Sequence, residues 1–406
     1  MSRQPDIAAT RLGAAKPSAS MAAKARADAM RAAGRHIIDF TIGEPDFPTP
    51  AHIVEAGANA LKHGHTRYTA SAGTVELRAA IARKLKRDNQ LHYKTNEIVV
   101  GCGAKQVIFN AFMATLNQGD EVIVPAPYWV SYPEMVLING GTPRIVNCDA
   151  RDGFKLRAAA LEHAITPRTK WLVLNSPNNP TGAVYSATEL RALGDVLDRH
   201  PHVHIMADEI YEHFVYGGAK HVCLLNANPA LRSRTLLVNG LSKSHAMTGW
   251  RIGYGAGPAG LVQAIVLLIT QSTTCAGAAA QAAAAAALDG PTQSVTDAAR
   301  MFESRRNRLI ERLSGIEGVH CETPDGAFYV FASVAGLLGR QAPTGKWLQS
   351  DTEVAEYLCE EGGVVAIDGT SYGLSPFLRF SFATSMSEID RGCDAIEAAV
   401  SRLKPR

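Results

Sequence analysis

Lys243 is the side chain in this sequence around which covalent chemistry is most readily built. It lies in Asn-Gly-Leu-Ser-Lys-Ser-His-Ala-Met-Thr-Gly-Trp-Arg (239–251), flanked by the small residues Ser242 and Ser244, and follows the apolar run Thr235-Leu236-Leu237-Val238. Such a run reads as a buried strand. A lysine held against apolar walls loses proton affinity, because burial disfavours the charged form. The neutral amine attacks an aldehyde to give a Schiff base. Arg251 closes the segment with a planar cation suited to a phosphate, and Ser242 adds a hydroxyl. Taken alone, these residue types equally describe a solvated loop carrying an ordinary Lys and Arg.

Two further clusters narrow the chemistry. The alternating run His202–Ala207 ends in Asp208-Glu209-Ile210-Tyr211. An aspartate at the carboxyl end of a buried strand is costly unless it meets a cation. Glu97-Ile98-Val99-Val100 runs into Gly101-Cys102-Gly103-Ala104-Lys105 and then an apolar helix. Strand, small-residue turn and helix start make an anion cradle, with the N–H groups of Gly103, Ala104 and Lys105 at the positive helix end. A Schiff-base lysine, a phosphate cradle and an aspartate suited to a pyridinium N–H are what pyridoxal phosphate needs. A protonated ring nitrogen makes that ring an electron sink.

Three longer runs carry a resemblance: Tyr-Trp-Val-Ser-Tyr-Pro-Glu-Met (128–135), Asn-Ser-Pro-Asn-Asn-Pro-Thr-Gly-Ala-Val-Tyr (175–185) and Ala-Met-Thr-Gly-Trp-Arg-Ile-Gly-Tyr (246–254). With the Lys243 segment they resemble the class I/II pyridoxal-phosphate aminotransferases of fold type I, most of all the bacterial aspartate aminotransferase branch. The likeness implies that Lys243 forms the Schiff base and shuttles the substrate proton. It implies that Trp129 stacks on the cofactor ring and that Asn179 and Tyr211 meet its phenolic oxygen. Gly43, in Gly-Glu-Pro-Asp-Phe, then lines the substrate site with Trp129 and Asn179, and Arg379 forks onto the substrate carboxylate. Tyr68 reaches the phosphate of a neighbouring subunit, which implies a homodimer with shared active sites. The implied reaction is ping-pong transfer from an amino acid, aspartate first, to 2-oxoglutarate. Aromatic, branched-chain or prephenate transamination, or a carbon–sulfur lyase, are the alternatives.

Two departures bear on the substrate. No arginine occurs in Thr270–Thr274, where some relatives pair one with a distal carboxylate; the resemblance to this branch implies instead the lysine of the N-terminal Lys-Pro-Ser segment, Lys16, with Lys105 a further candidate. Gly240 stands where many relatives have a serine.

The elements must bring these residues to one place. Alternating strands and helices from about 97 to 260 predict a mainly parallel sheet with helices on both faces. Ligands then gather beyond the strand ends. The expected division is an arm and part of a small domain (1–46), a large cofactor-binding domain (47–304) and a smaller α+β domain (305–406). Arginines in the helix predicted over 299–313 are expected on a solvated face. Gly255–Gly260 matches a dinucleotide fingerprint but carries Pro258 and lacks the downstream acid. His202 and His204 share a strand face without a third ligand, so no metal is expected.

Composition agrees. The chain has 406 residues, 46% hydrophobic and 19% charged, enough for one large domain and a smaller one. A net charge of +3 gives no reason to expect nucleic acid or an anionic membrane. Leu261–Ile269 is too short to span a bilayer, and the seven scattered cysteines fit reduced thiols. A soluble, cytoplasmic protein is expected, with amino and 2-oxo acids as its partners.

Overall fold

The computed structural model describes residues 7, 9–15, 19–32 and 34–405. Lys16 lies outside the described residues. In chain order the strands are β1 (Ile38–Asp39), β2 (Ile98–Cys102), β3 (Glu121–Ala126), β4 (Thr142–Asn147), β5 (Thr169–Asn175) and β6 (His204–Asp208). They continue as β7 (Thr235–Gly240), β8 (Ile252–Ala256), β9 (Tyr329–Ser333), β10 (Val364–Val365), β11 (Ile367–Asp368) and β12 (Phe377–Ser381).

A seven-stranded sheet, in the order β2-β8-β7-β6-β5-β3-β4, forms the centre. Its strands run parallel except β8, which is antiparallel to both neighbours. Side chains alternate across it with period two. Val99, Val122, Val124, Trp171, Val173, Met206, Leu236 and Val238 enter one core. Ile98, Val100, Ile123, Leu172, Leu174, Ile205 and Leu237 enter the other. Both faces are therefore covered, which is why these strands read as continuous apolar runs.

The reversed β8 matters for the site. Its first residue Ile252 pairs with Cys102 at the end of β2, and Gly253 pairs with Gly240 at the end of β7. Arg251 therefore stands on the edge where β5, β6 and β7 end. A hairpin return brings a cation to the place where the parallel strands deliver Asp208 and Lys243.

A second core forms around β11-β12-β9, an antiparallel sheet. Phe40, Phe214, Phe302, Phe328, Phe380 and Phe382 are buried there. The helix Gln293–Ser314 lays Phe302, Leu309 and Leu313 into it. Arg300 on this helix is exposed as expected, but two of its arginines correct the expectation of a solvated face. Arg305 and Arg306 are buried. Arg305 forks onto Asp46 at 2.7 and 2.9 Å, and Arg306 donates to the Pro324 carbonyl at 2.9 Å. Partners brought from distant chain positions meet the cost of burying those charges.

Candidate active site

Lys243 sits in the loop that follows β7. Its Nζ donates to the Gly43 carbonyl at 2.6 Å and lies 6.0 Å from the Tyr211 ring centroid. Burial pushes its pKa down to about 8, Arg379 and Arg251 add to the effect, and Glu44 and Asp208 oppose it. Such a pKa leaves roughly a tenth of the amine neutral at pH 7, far more than an ordinary lysine, and the neutral form is the nucleophile.

Asp208 ends β6 and is 4% exposed. Burial pushes its carboxyl up to about 6, against hydrogen bonds that lower it. Tyr132 Oη donates to its Oδ2 at 2.6 Å, and the Ile210 N–H donates to Oδ1 at 3.2 Å. Next to it, Asn175 Nδ2 donates to the Asp208 carbonyl, and its Oδ1 accepts from the Asn179 N–H. The Pro/Asn turn is thereby tied to β6.

The helix Ala104–Thr115 starts at Gly103, whose φ of +84° suits glycine. A Cβ on Gly103 would lie 2.6 Å from Arg251 Nη2. Arg251 donates to the Thr248 and Cys102 carbonyls, which holds its guanidinium over the helix start. From below, Gly253 approaches so closely that a Cβ would lie 2.0 Å from Ala104 N. Lys105 Nζ stands 4.8 Å over the Trp129 ring. Burial and the nearby Arg251 both lower the proton affinity of Lys105. Trp129 is half-buried and packs edge-on against Tyr132 at 5.2 Å.

Arg379, on β12, is 3% exposed. Nη1 donates to Asn179 Oδ1 at 3.1 Å and Nη2 to the Thr41 carbonyl at 2.7 Å, while the buried Nε has no partner among the described residues. Its guanidinium lies 4.3 Å over Tyr329 and 5.3 Å over Tyr372. Tyr211 and Tyr329 share a hydroxyl–hydroxyl hydrogen bond of 2.9 Å.

Gly43, Lys243 and Tyr211 are thus linked through Tyr329 to Arg379 and Asn179, and Gly103 lies against Arg251 and Lys105 over Trp129. Ser242 is buried beside Lys243. Tyr68 is 85% exposed. Tyr132, Tyr329 and Thr41 did not stand out in the sequence. Only the spacing of Tyr132 from Trp129 on one short helix start could have pointed to any of them.

The residues present fit a group with an anionic end and a basic ring nitrogen. The Gly103 cradle under Arg251 is suited to the anion. Asp208 is a buried acid whose hydrogen bonds come from a tyrosine and an amide, with no ion pair to it among the described residues. The unpartnered Nε of Arg379 leaves a donor for an acceptor from outside the chain. Fold and cleft together define a large α/β protein with a buried lysine of lowered proton affinity at the carboxyl edge of its sheet.

Comparison with known proteins makes the class specific. The family described as aminotransferase class I and II matches residues 35–396. The chain is 47% identical over 379 residues to an aspartate aminotransferase of Rhizobium meliloti (strain 1021), covering 93% of this chain and 92% of that protein. It is likewise 47% identical over 386 residues to a probable aspartate/prephenate aminotransferase of Rhizobium leguminosarum bv. phaseoli, covering 95% and 96%. The crystal structure of the Rhizobium meliloti aspartate aminotransferase superposes with a TM-score of 0.96 at 46% identity, covering 99% of this chain and all of that one. The chain belongs to the class I and II aminotransferases, a pyridoxal-phosphate-dependent family.

Proposed function

We propose that this enzyme transfers the amino group of L-aspartate to 2-oxoglutarate with pyridoxal phosphate as its cofactor, in a ping-pong cycle. One observation carries the assignment: Lys243, its proton affinity lowered by burial, is linked through Tyr211 and Tyr329 to Arg379, whose buried Nε has no partner among the described residues. Pyridoxal phosphate, when bound, supplies an aldehyde carbon and an electron-withdrawing ring.

The chain's residues take these roles. Gly103, Ala104 and Lys105, with Ser242 and Arg251, hold the phosphate, and Tyr68 of a second copy adds its hydroxyl. Trp129 covers the ring face. Asp208, oriented by Tyr132, keeps the ring nitrogen protonated. Asn179 and Tyr211 donate to the phenolic oxygen. Arg379 grips the substrate α-carboxylate, and Lys243 takes the Cα proton as general base. Gly43 holds the Lys243 amine from the substrate side, and Lys105 or Lys16 meets the distal carboxylate. The active unit in this reading is a cytoplasmic homodimer with shared sites, each protomer divided at about residues 46 and 304. Among the described residues no helix is long and apolar enough to cross a membrane.

Prephenate is a second acceptor to test, because relatives as similar as the aspartate enzymes carry the name aspartate/prephenate aminotransferase. A half-reaction separates the readings: yellow cofactor-loaded enzyme is mixed with one amino acid at a time, without any oxo acid. Bleaching of the visible band by aspartate and glutamate supports the proposal. Bleaching only by phenylalanine, tyrosine or other apolar donors moves the substrate class. Release of ammonia and pyruvate without an acceptor identifies a lyase.

A further inference from the structure

Tyr329 touches three parts of the cleft. Its Oη is 2.9 Å from Tyr211 Oη. Its ring carries the Arg379 guanidinium 4.3 Å from the centroid. A Cβ built on Gly43 would lie 3.7 Å from its hydroxyl, and Gly43 is the residue whose carbonyl accepts from Lys243. The side chain is held from several sides. Tyr329 is 1% exposed, Phe328 packs against its ring at 4.7 Å, and β9 pairs with β12, the strand that carries Arg379.

We propose, resting on the roles given above to Tyr211 and Arg379, that Tyr329 is a positioning residue that serves cofactor and substrate through different atoms. The hydroxyl holds Tyr211 Oη in donating position toward the phenolic oxygen. The ring face holds the guanidinium plane of Arg379 for the carboxylate. The two parts are chemically independent, so they can be removed separately.

Burial pushes both hydroxyls up, so the Tyr211–Tyr329 pair stays neutral through the working range. Two neutral hydroxyls in contact form a short donor chain. When Tyr329 donates to Tyr211, the Tyr211 proton is free to point onward, and it is polarised by the bond it accepts. The charged groups facing this pair are Arg379, Asp208 and Lys243. The ring contributes differently. Nη1 and Nη2 of Arg379 are engaged by Asn179 and Thr41, and stacking on Tyr329 and Tyr372 fixes the plane of the guanidinium, whose buried Nε has no partner among the described residues.

The test uses cofactor-loaded wild type, Tyr329→Phe and Tyr329→Met, each first shown to melt cooperatively. The visible band is titrated against pH. Succinate, a dicarboxylate that cannot react, is titrated for binding. In Tyr329→Phe the band midpoint is expected to move up by roughly half a unit, because a weaker donor to a negatively charged oxygen favours its protonated partner. Succinate affinity stays as in wild type. In Tyr329→Met the same shift comes with about 3- to 30-fold weaker succinate binding. A Tyr329→Phe band superimposable on wild type overturns the inference, and so does loss of succinate affinity already in Tyr329→Phe. Should Tyr329→Met not fold, those two readouts on Tyr329→Phe decide alone. A wild type with no visible band in excess pyridoxal phosphate instead overturns the cofactor assignment, leaving the two failures distinct.

Discussion

Tyr132→Phe removes one hydrogen bond and little else. The ring keeps its edge-on packing against Trp129 at 5.2 Å, while the 2.6 Å donation to Asp208 Oδ2 is lost. The remaining donor on that carboxylate, the Ile210 N–H, is at 3.2 Å on the other oxygen. Asp208 titrates near pH 6 in the cofactor-free fold, pushed up from 3.8 by burial. Above that pH the lost bond is charge-assisted and costs about 1.5–3 kcal/mol; below it the acceptor is a neutral acid and the cost is about 0.5–1.5 kcal/mol. The sign follows from proton binding. Between 3.8 and about 6 the folded chain keeps a proton that the unfolded chain has released, so stability falls as pH rises through that window. Losing Tyr132 disfavours the carboxylate further and extends the window upward by roughly one unit. Guanidinium unfolding of cofactor-free wild type and variant, at about pH 5 and about pH 8, should show a destabilisation about 1–2 kcal/mol larger at the higher pH. Equal destabilisation at both values, or none at either, would refute the view that Tyr132 supports the ionised form of Asp208.

Other consequences are equally direct. Arg379→Lys keeps the charge but loses the planar fork, so KM for amino donors should rise about 10- to 100-fold in steady-state assays; an unchanged KM would remove Arg379 from the carboxylate site. Gly253→Ala puts a Cβ 2.0 Å from Ala104 N, so the helix start must shift and cofactor affinity should fall about tenfold or more, whereas Gly260→Ala, which meets open space, should leave it unchanged. Equal affinities, measured by fluorescence titration of the cofactor-free protein, would count against the cradle. Lys84→Ala strands the buried Glu212, which also accepts from Asn89 and Asn239, and should cost about 3–5 kcal/mol by denaturant unfolding; a loss under about 1 kcal/mol would show that Glu212 does not depend on its lysine.

The site residues legible in the sequence are those at strand ends. Lys243, Asp208 and Gly103–Lys105 each follow an apolar run, and a polar or small residue there has few structural reasons to occur. Arg379 was legible through the family likeness alone, since an arginine in an alternating strand ordinarily faces water; its burial depends on Asn179 and Thr41, remote in sequence. Tyr132 and Tyr329 were silent for the same reason. Each sits in an apolar stretch where a tyrosine reads as packing, and each acquires its partner only when distant segments meet. Periodicity carries no strand direction, so the reversal of β8 that delivers Arg251 could not be read. The solvated face expected for Arg305 and Arg306 failed because charge alone does not reveal a bidentate partner such as Asp46, far away in sequence.

Borohydride reduction of the cofactor-loaded enzyme, followed by peptide mapping, tests the central claim most directly. Reduction makes the bond between the cofactor and its lysine permanent. The pyridoxyl group should be found on Lys243, and Lys243→Ala should carry none and turn over no aspartate. A label on Lys105 or another lysine, or aspartate turnover near the wild-type rate in Lys243→Ala, would contradict the account.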